Sequence, residues 1–381
     1  MESILREIPA LTVLCLALYA QRALGRSFSA RFGPAWTPRF EWGARLGAGL
    51  MVAAYSLAFY PIRHAVPLWQ IPAWIRGAGH VWAFVSIIAF ALDRVAAGLA
   101  IPVLPERRRL LRGAADLAMT APVAALGYGL FIGRHQMETR EVTVKVKGLP
   151  KDLDGLRLAQ ITDIHLSPFF SPRDLDRAID MANEGRPHIT LLTGDLITDR
   201  KDPLDICLER LTKLKAEAGV FGCMGNHERY SECEDYVASR GARTGIRFLR
   251  QDRAELRFGS ARLNITGVDY QQFRKPYLTA VEGTDHGEGL SVLLSHNPDV
   301  FHRAVELGYD LTIAGHTHGG QITVEYLHQH LNLTRFYTPY VYGLYEKEGR
   351  SLYVSRGLGT VGMPVRLGAP PEVALIRLCA T

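Results

Sequence analysis

Four apolar runs before residue 135 constrain this chain more than any other feature: Ile8–Ala20, Leu46–Ile62, Val81–Leu104 and Ala114–Ile132. A helix needs about 20 apolar residues to cross the hydrocarbon, with a range of about 17–25. The second and fourth runs reach or approach that length. The first is short, and a signal-peptide core is its rival, but no small-residue cleavage site follows it. The third carries Asp93 and Arg94 in mid-span, and an opposite pair facing neighbouring helices fits the rule that membrane charges pair inside a bundle.

Charge falls unevenly along the chain. Residues 1–140 hold fifteen Arg, no Lys and seven acidic residues, net +8, whereas the remaining 29 basic and 31 acidic residues give −2. A nucleic-acid-binding domain would carry its positive charge on the folded part, so that class is excluded and no nucleic-acid partner is expected. Arginine flanking apolar runs instead marks membrane topology. Arg22, Arg26, Arg31, Arg39 and Arg45 lie in a loop read over 22–45. Arg107, Arg108, Arg109 and Arg112 follow the third run, and a loop read over 63–79 has only Arg63 and Arg76. With the Arg-rich loops in the cytoplasm, everything after about residue 134 lies outside. The expectation is a multi-pass helical transmembrane region over 1–135, of about four helices, carrying an extracytoplasmic domain over 141–381.

The texture changes at about residue 141. EVTVKVKGL alternates as a half-buried strand does, and LRLAQITDI reads as a strand ending at Asp163. SPRDLDRAIDMANEG is a helix with Ser171 as N-cap, Pro172 at the first position and Gly185 at the end. HITLLTGD is a strand, PLDICLERLTKLKAEAG a helix and VFGCMGNH a third strand. AELRFG and ARLNITGVD form a hairpin, after which SVLLSHNP, FHRAVELG and DLTIAGHTH restore the alternation. Such a rhythm implies a mainly parallel α/β arrangement, and a sheet-on-sheet sandwich with outer helices accommodates it. The cysteines (Cys15, Cys207, Cys223, Cys233, Cys379) form no CxxC, and free thiols are expected.

Each strand ends in a polar cluster, where ligands collect in open α/β sheets. TDIHLS gives Asp163 and His165, TGDLITD gives Asp195, and GNHE gives Asn226 and His227. SHNP gives His296, and GHTHGGQ gives His316 and His318. One DxH recurs by chance, but five clusters at successive strand ends do not. Imidazole, carboxylate and amide oxygen suit Mn, Fe or Zn, and two divalent ions about 3.5–4 Å apart can clamp a phosphate.

The order DxH, GD, GNH[E/D], H, GHxH resembles the calcineurin-like metallophosphoesterase superfamily over about residues 150–320. GHTHGGQ with the later SRGLGTVGMPVRLGAPPEVALIRL is similar to its membrane-associated YkuE/YaeI-type branch. The resemblance implies an α/β fold, a four-layer αββα sandwich, and a centre of two divalent ions. It implies that Asp163, His165 and His318 hold one ion and that Asn226, His296 and His316 hold the other, with Asp195 bridging. It implies that His227 is a catalytic residue beside the departing oxygen rather than a ligand, and that metal-bound hydroxide attacks phosphorus. Glu228 stands where Asp is often seen, and GDLITD is one residue longer than usual, so Glu228 and Asp199 are read as loop supports.

The function expected is hydrolysis of a phosphate ester or diester, lipid- or envelope-linked, next to the bilayer. Two rivals stand beside it: a pyrophosphatase acting on a nucleotide-linked lipid, which would need a cytoplasmic face, and a non-catalytic membrane sensor that keeps the fold. His328 and His330 repeat the HxH spacing without a framing motif and are read as surface or substrate-loop histidines. Arg356 and Arg366 are read as structural.

Overall fold

The computed structural model describes residues 2–58, 71–98, 121, 123–271, 277–282, 289–323 and 332–381. The chain divides into two compact units, the first made of Met1–Ile132 with Gly362–Pro364 and the second of Gly133–Val361 with Val365–Thr381.

The first unit is helical: α1 (Glu2–Phe32), α2 (Thr37–Ala58), α3 (Ile71–Gly98) and a helical segment over 123–131. The segment read as a 22–45 loop is helical except around Gly33–Trp36, and α3 starts at Ile71, inside the stretch read as a 63–79 loop. Arginine is a good helix former, so basic residues alone do not end a helix, whereas Gly33-Pro34 does. Ala17, Met51 and Ala83 form a small core between the three helices, while Leu16, Trp42, Leu46 and Val95 face outward. Asp93 is buried, ion-paired to Arg94 at 2.5 Å, and accepts a hydrogen bond from Ser27 Oγ at 2.8 Å. The mid-span charges are thus paired, and α1 shares in the pairing. Among the described residues one helix, Ala73–Val95, is long and apolar enough to cross a membrane. That is fewer than the four spans expected, and much of the fourth run lies outside the described residues.

Among the described residues the second unit holds twelve strands: β1 (Glu138–Val146), β2 (Arg157–Ile161), β3 (Ile189–Thr193), β4 (Val220–Cys223), β5 (Ile246–Phe248), β6 (Asp252–Phe258), β7 (Ala261–Gly267), β8 (Leu290–Leu294), β9 (Leu311–Ala314), β10 (Gly343–Lys347), β11 (Arg350–Val354) and β12 (Glu372–Ala380). They form two mixed six-stranded sheets, ordered β1-β12-β2-β3-β4-β5 and β10-β11-β9-β8-β7-β6. The expected hairpin is β6–β7, paired antiparallel from Asp252↔Gly267 to Phe258↔Ala261. Strands β2 to β5 run parallel, as do β7, β8 and β9.

Alternation along each strand sorts side chains between two layers. Leu158, Leu191 and Phe221 meet Ile265, Val292 and Ile313 between the sheets. On the outer face Ala159, Ile161 and Leu192 pack on α4 (Pro172–Glu184), α5 (Leu204–Leu211) and α7 (Glu234–Arg243). Helix α6 is the short Asn226–Tyr230, and Phe301 and Val305 of α8 (Phe301–Glu306) cover Leu352 and Val354 on the other sheet. The result is a two-sheet sandwich with helices outside.

Helix α4 starts where its capping residues place it. Ser171 Oγ accepts from the Asp174 amide, and the Asp174 carboxylate accepts from the Ser171 amide at 2.9 Å, a reciprocal cap. Helix α5 is shorter than its leucine spacing suggests. It ends at Leu211 because the Asn183 side chain captures Lys213 O and the Lys215 amide, holding the next residues out of helix. All five cysteines are free thiols.

Candidate metal centre

The parallel strands of both sheets deliver their carboxyl ends to one place. Asp163 and His165 follow β2, Asp195 follows β3, Asn226 and His227 open α6 after β4, His296 follows β8, and His316 and His318 follow β9. Gln160 ties the sheets together beneath them. Its buried Nε2 donates to Thr193 Oγ1 at 2.8 Å and to Ala314 O at 2.9 Å, at the ends of β3 and β9.

The side chains gather in two groups. Asp163, His165 and His318 place their ligand atoms within 4.8 Å of one another, as do Asp195, His296 and His316. In the first, His318 Nε2 lies 3.2 Å from His165 Nε2 and 3.3 Å from Asp163 Oδ1. In the second, His296 Nε2 lies 3.1 Å from Asp195 Oδ2, His316 Nδ1 and Asn226 Oδ1 alike. Asp195 Oδ2 also lies 3.4 Å from His165 Nε2, so this one oxygen faces both groups. All seven predicted ligands therefore converge, and a third group joins His165, Asp195 and His227.

The donor set fits divalent cations. Imidazole nitrogens from different strands face each other at 3.1–3.2 Å, and lone pairs aimed at a common point repel unless a proton or a metal cation sits between them. Backbone partners fix several orientations. His296 Nδ1 lies 2.7 Å from Thr193 O, and a carbonyl takes only a donor, so Nε2 is the nitrogen turned to the cluster. Asp195 Oδ1 accepts the His227 amide at 2.9 Å, leaving Oδ2 for the centre. Asp163 accepts from Thr162 Oγ1 at 2.8 Å and from the His316 amide at 3.0 Å.

The backbone is strained to achieve this. Asp163, His165, Asp195, His316 and His318 all have positive φ, between 46° and 76°, a region that residues with a Cβ adopt at a cost. Gly225 is required beside them, since a Cβ there would overlap Asp195 Oδ1.

Burial and charge oppose each other at the cluster. Burial pushes Asp163 upward. Against the same upward push, His296, His227 and His165 hold Asp195 well below the usual carboxylate range. Burial would lower His296, but the Asp195 and Asp163 carboxylates outweigh it and raise the imidazole to about 10. Burial, with His296 adding to it, takes His316 down to about 3. The same carboxylates that attract this proton would attract a divalent ion in its place.

His227 differs from the others. It is half-buried, and its Nδ1 lies 2.6 Å from the Thr198 carbonyl, so Nδ1 carries the proton and Nε2 remains for a substrate or an ion. Its ring meets His165 edge-on at 4.8 Å between centroids and Tyr230 at 5.8 Å.

Three supports were only partly legible from the sequence. Glu228 is fully buried and accepts from the amides of Asp195 (2.8 Å), Leu196 (2.7 Å) and Gly225 (2.8 Å). In the longer GDLITD loop the carboxylate that holds the Thr198 and Asp199 amides is that of Asp202. Arg366, also buried, donates to the carbonyls of Gly359, Ala369 and Arg356 and lies 3.4 Å from His318 Nδ1. Burial lowers its guanidinium to about 10. The tail strand-end around it clasps the first group, with the Leu358 and Gly359 amides donating to Thr162 O and Asp163 O. Sequence reasoning missed Tyr270. It lies three residues beyond Gly267, the end of β7, and its buried ring lies 5.6 Å from that of His316 and 6.2 Å from that of His296. The signal was available, because GVDYQ ends the strand beside the one that carries His296. His328 and His330 lie outside the described residues. Asn264 and Asn332, in the NIT and NLT tripeptides, are buried.

Comparison with known proteins agrees with this geometry. The profile of the calcineurin-like phosphoesterase family matches residues 156–320. The metallophosphoesterase YkuE of Bacillus subtilis is 30% identical over 282 residues, covering 72% of this chain and 98% of that protein. A metallophosphoesterase of Helicobacter pylori is 27% identical over 387 residues, 97% of each chain. A Danio rerio transmembrane protein with metallophosphoesterase domain is 30% identical over 277 residues, covering 69% of this chain and 61% of that one. The chain belongs to the calcineurin-like metallophosphoesterase family and is a metal-dependent phosphoesterase. Within that family it falls in the YkuE-type branch.

Proposed function

We propose that this chain is a membrane-anchored phosphoesterase. Its seven converging side chains would hold two divalent ions, and its substrate would be a phosphate ester or diester carried by a lipid or envelope molecule. The observation that carries the reading is Asp195 Oδ2, which faces His165 at 3.4 Å and His296 at 3.1 Å and so suits an oxygen shared by two ions. Bound there, divalent ions supply Lewis acidity to phosphoryl oxygens and bring water within reach of ionisation near neutral pH.

The protein's own groups do the rest. Glu228 and the Gly225 turn hold Asp195 and Asn226 in register. His227, with Nδ1–H fixed on Thr198 O, presents Nε2 to the departing oxygen, and when the ring carries a second proton on Nε2 it would pass that proton to the oxygen and return to the neutral imidazole. The helix Ala73–Val95 would anchor the enzyme. The arginine bias of residues 1–140 favours a multi-pass topology with the metal domain outside the cytoplasm.

The test is hydrolysis by the full chain in vesicles, stripped of metal and resupplied with Mn. Aryl phosphate monoesters and diesters are offered beside an Asp195→Ala control. Metal-dependent turnover that the control lacks is expected, and the ratio of the two substrate types narrows the class. A folded protein that binds divalent ions but cleaves neither would sink the reading.

A further inference from the structure

Phe336 and Tyr337 are the most exposed large apolar side chains among the described residues, at 85% and 80%, and Leu333 beside them is 63% exposed. They sit on a short 3-10 turn, Leu333–Phe336. Leaving such side chains in water forgoes the free energy of burying them, so a cluster of three calls for an occupant.

The turn is held firmly at both ends. Asn332 is buried, and its Nδ2 donates to Gly319 O at 2.7 Å and to Thr323 Oγ1 at 3.1 Å, while its Oδ1 accepts the Thr334 amide at 2.9 Å. Beyond the turn, Thr338 Oγ1 donates to Asp299 at 2.5 Å, and Thr317 Oγ1 donates to Val341 O. Gly319 and Thr317 flank His318. The aromatic turn is therefore fastened to the same backbone that carries two candidate metal ligands, one residue away on either side.

Three observations select a bilayer as the occupant. Leucine with phenylalanine and tyrosine suits the headgroup boundary, where an apolar ring and a polar tip are both satisfied. Residues 332–341 carry one arginine and no acidic residue, so an anionic lipid surface meets no repulsion. The chain also contains a helix fit to span a membrane, and tethering replaces a costly bimolecular encounter with a local one.

We propose that Leu333, Phe336 and Tyr337 seat in the bilayer interface and hold the metal centre against the lipid headgroups. Resting on the function proposed above, this makes the substrate phosphate one presented at headgroup depth. The contact itself needs no turnover.

The experiment places a nitroxide at Phe336→Cys in the full chain, with Cys15, Cys233 and Cys379 changed to Ser. The protein is reconstituted in vesicles of phosphatidylcholine with phosphatidylglycerol. Glu217→Cys, ahead of β4 and away from the strand carboxyl ends, is the aqueous reference. Collision with oxygen, which favours lipid, is compared with collision with a water-soluble nickel chelate. The oxygen-to-nickel ratio is expected to be several-fold higher at 336 than at 217, and to stay so as protein is diluted in lipid. Equal ratios would overturn the proposal. So would a raised ratio that vanishes on dilution, which signifies contact between copies. Tyr337→Cys repeats the measurement should the first variant fail to assemble. Hydrolysis of soluble aryl phosphate by the same samples tests the phosphoesterase reading separately.

Discussion

Glu228 holds Asp195 by its backbone. Glu228 Oε2 accepts the amides of both Asp195 and Gly225, and Oε1 accepts that of Leu196. Three donors converge on one buried carboxylate, and none of these bonds goes to the side chain of a candidate ligand. Glu228→Gln turns an NH2 group toward at least one of those amides. A loss of about 2–3 kcal/mol is expected, the penalty of buried donors left facing a donor. Urea unfolding measures it, and an unchanged midpoint would show that the brace carries no energy.

His227 stands where it could act on substrate or hold an ion, and the two roles separate cleanly. His227→Ala is expected to lower kcat by about 100-fold or more, as loss of a general acid does, while bound metal per protein stays the same. Elemental analysis beside turnover decides it. Metal lost in step with rate would make His227 a ligand, in the company of His165 and Asp195.

Tyr270 walls the second group by its ring, which lies against the rings of His316 and His296. Tyr270→Phe should leave metal content and melting temperature close to those of the parent. Tyr270→Ala opens a cavity beside His296 and His316, and a cost of about 3–5 kcal/mol is expected. Equal stability of the two variants would remove the ring from the argument.

Arg366 bonds to carbonyls and a ring nitrogen, and a lysine cannot reproduce that fork. Arg366→Lys is expected to cost about 3 kcal/mol, since it strands buried carbonyls, and to weaken metal retention through His318. Thermal melts with and without chelator separate the two effects. A variant that melts like the parent and keeps its metal would contradict both.

Chelation should lower the melting temperature of the parent protein by roughly 5–10 °C. Saturation at about a hundred times the dissociation constant is worth about 2.7 kcal/mol, and each kcal/mol moves a domain of this size by about 2–4 °C. Restoring Mn should restore the transition. Identical melts with and without metal would mean that the centre is not loaded.

The convergence of the candidate ligands was legible in the sequence because each sits in a short motif at a strand end, and strand alternation is a local signal. Glu228 was half legible, since its place in GNHE was clear but two of its three amide partners, Asp195 and Leu196, lie in the turn after another strand. Arg366 was read as structural without its partners, and Tyr270 was overlooked although it follows the strand beside the one that carries His296, because the weight of both comes from proximity between elements far apart in the chain. The first unit was misread at its helix ends for a related reason. Charge marks which side of a membrane a segment prefers, whereas helix ends are set by residues such as Gly33 and Pro34.

The left-handed backbone at Asp163, His165, Asp195, His316 and His318 bears on how such a sequence is kept. Glycine would relax any of these positions by about 1 kcal/mol and remove a ligand in the same step. At five places the substitution that best suits the fold is the one that abolishes the site. Stability alone would favour glycine there, so at five positions this chain gives up backbone stability to bring functional side chains to one place.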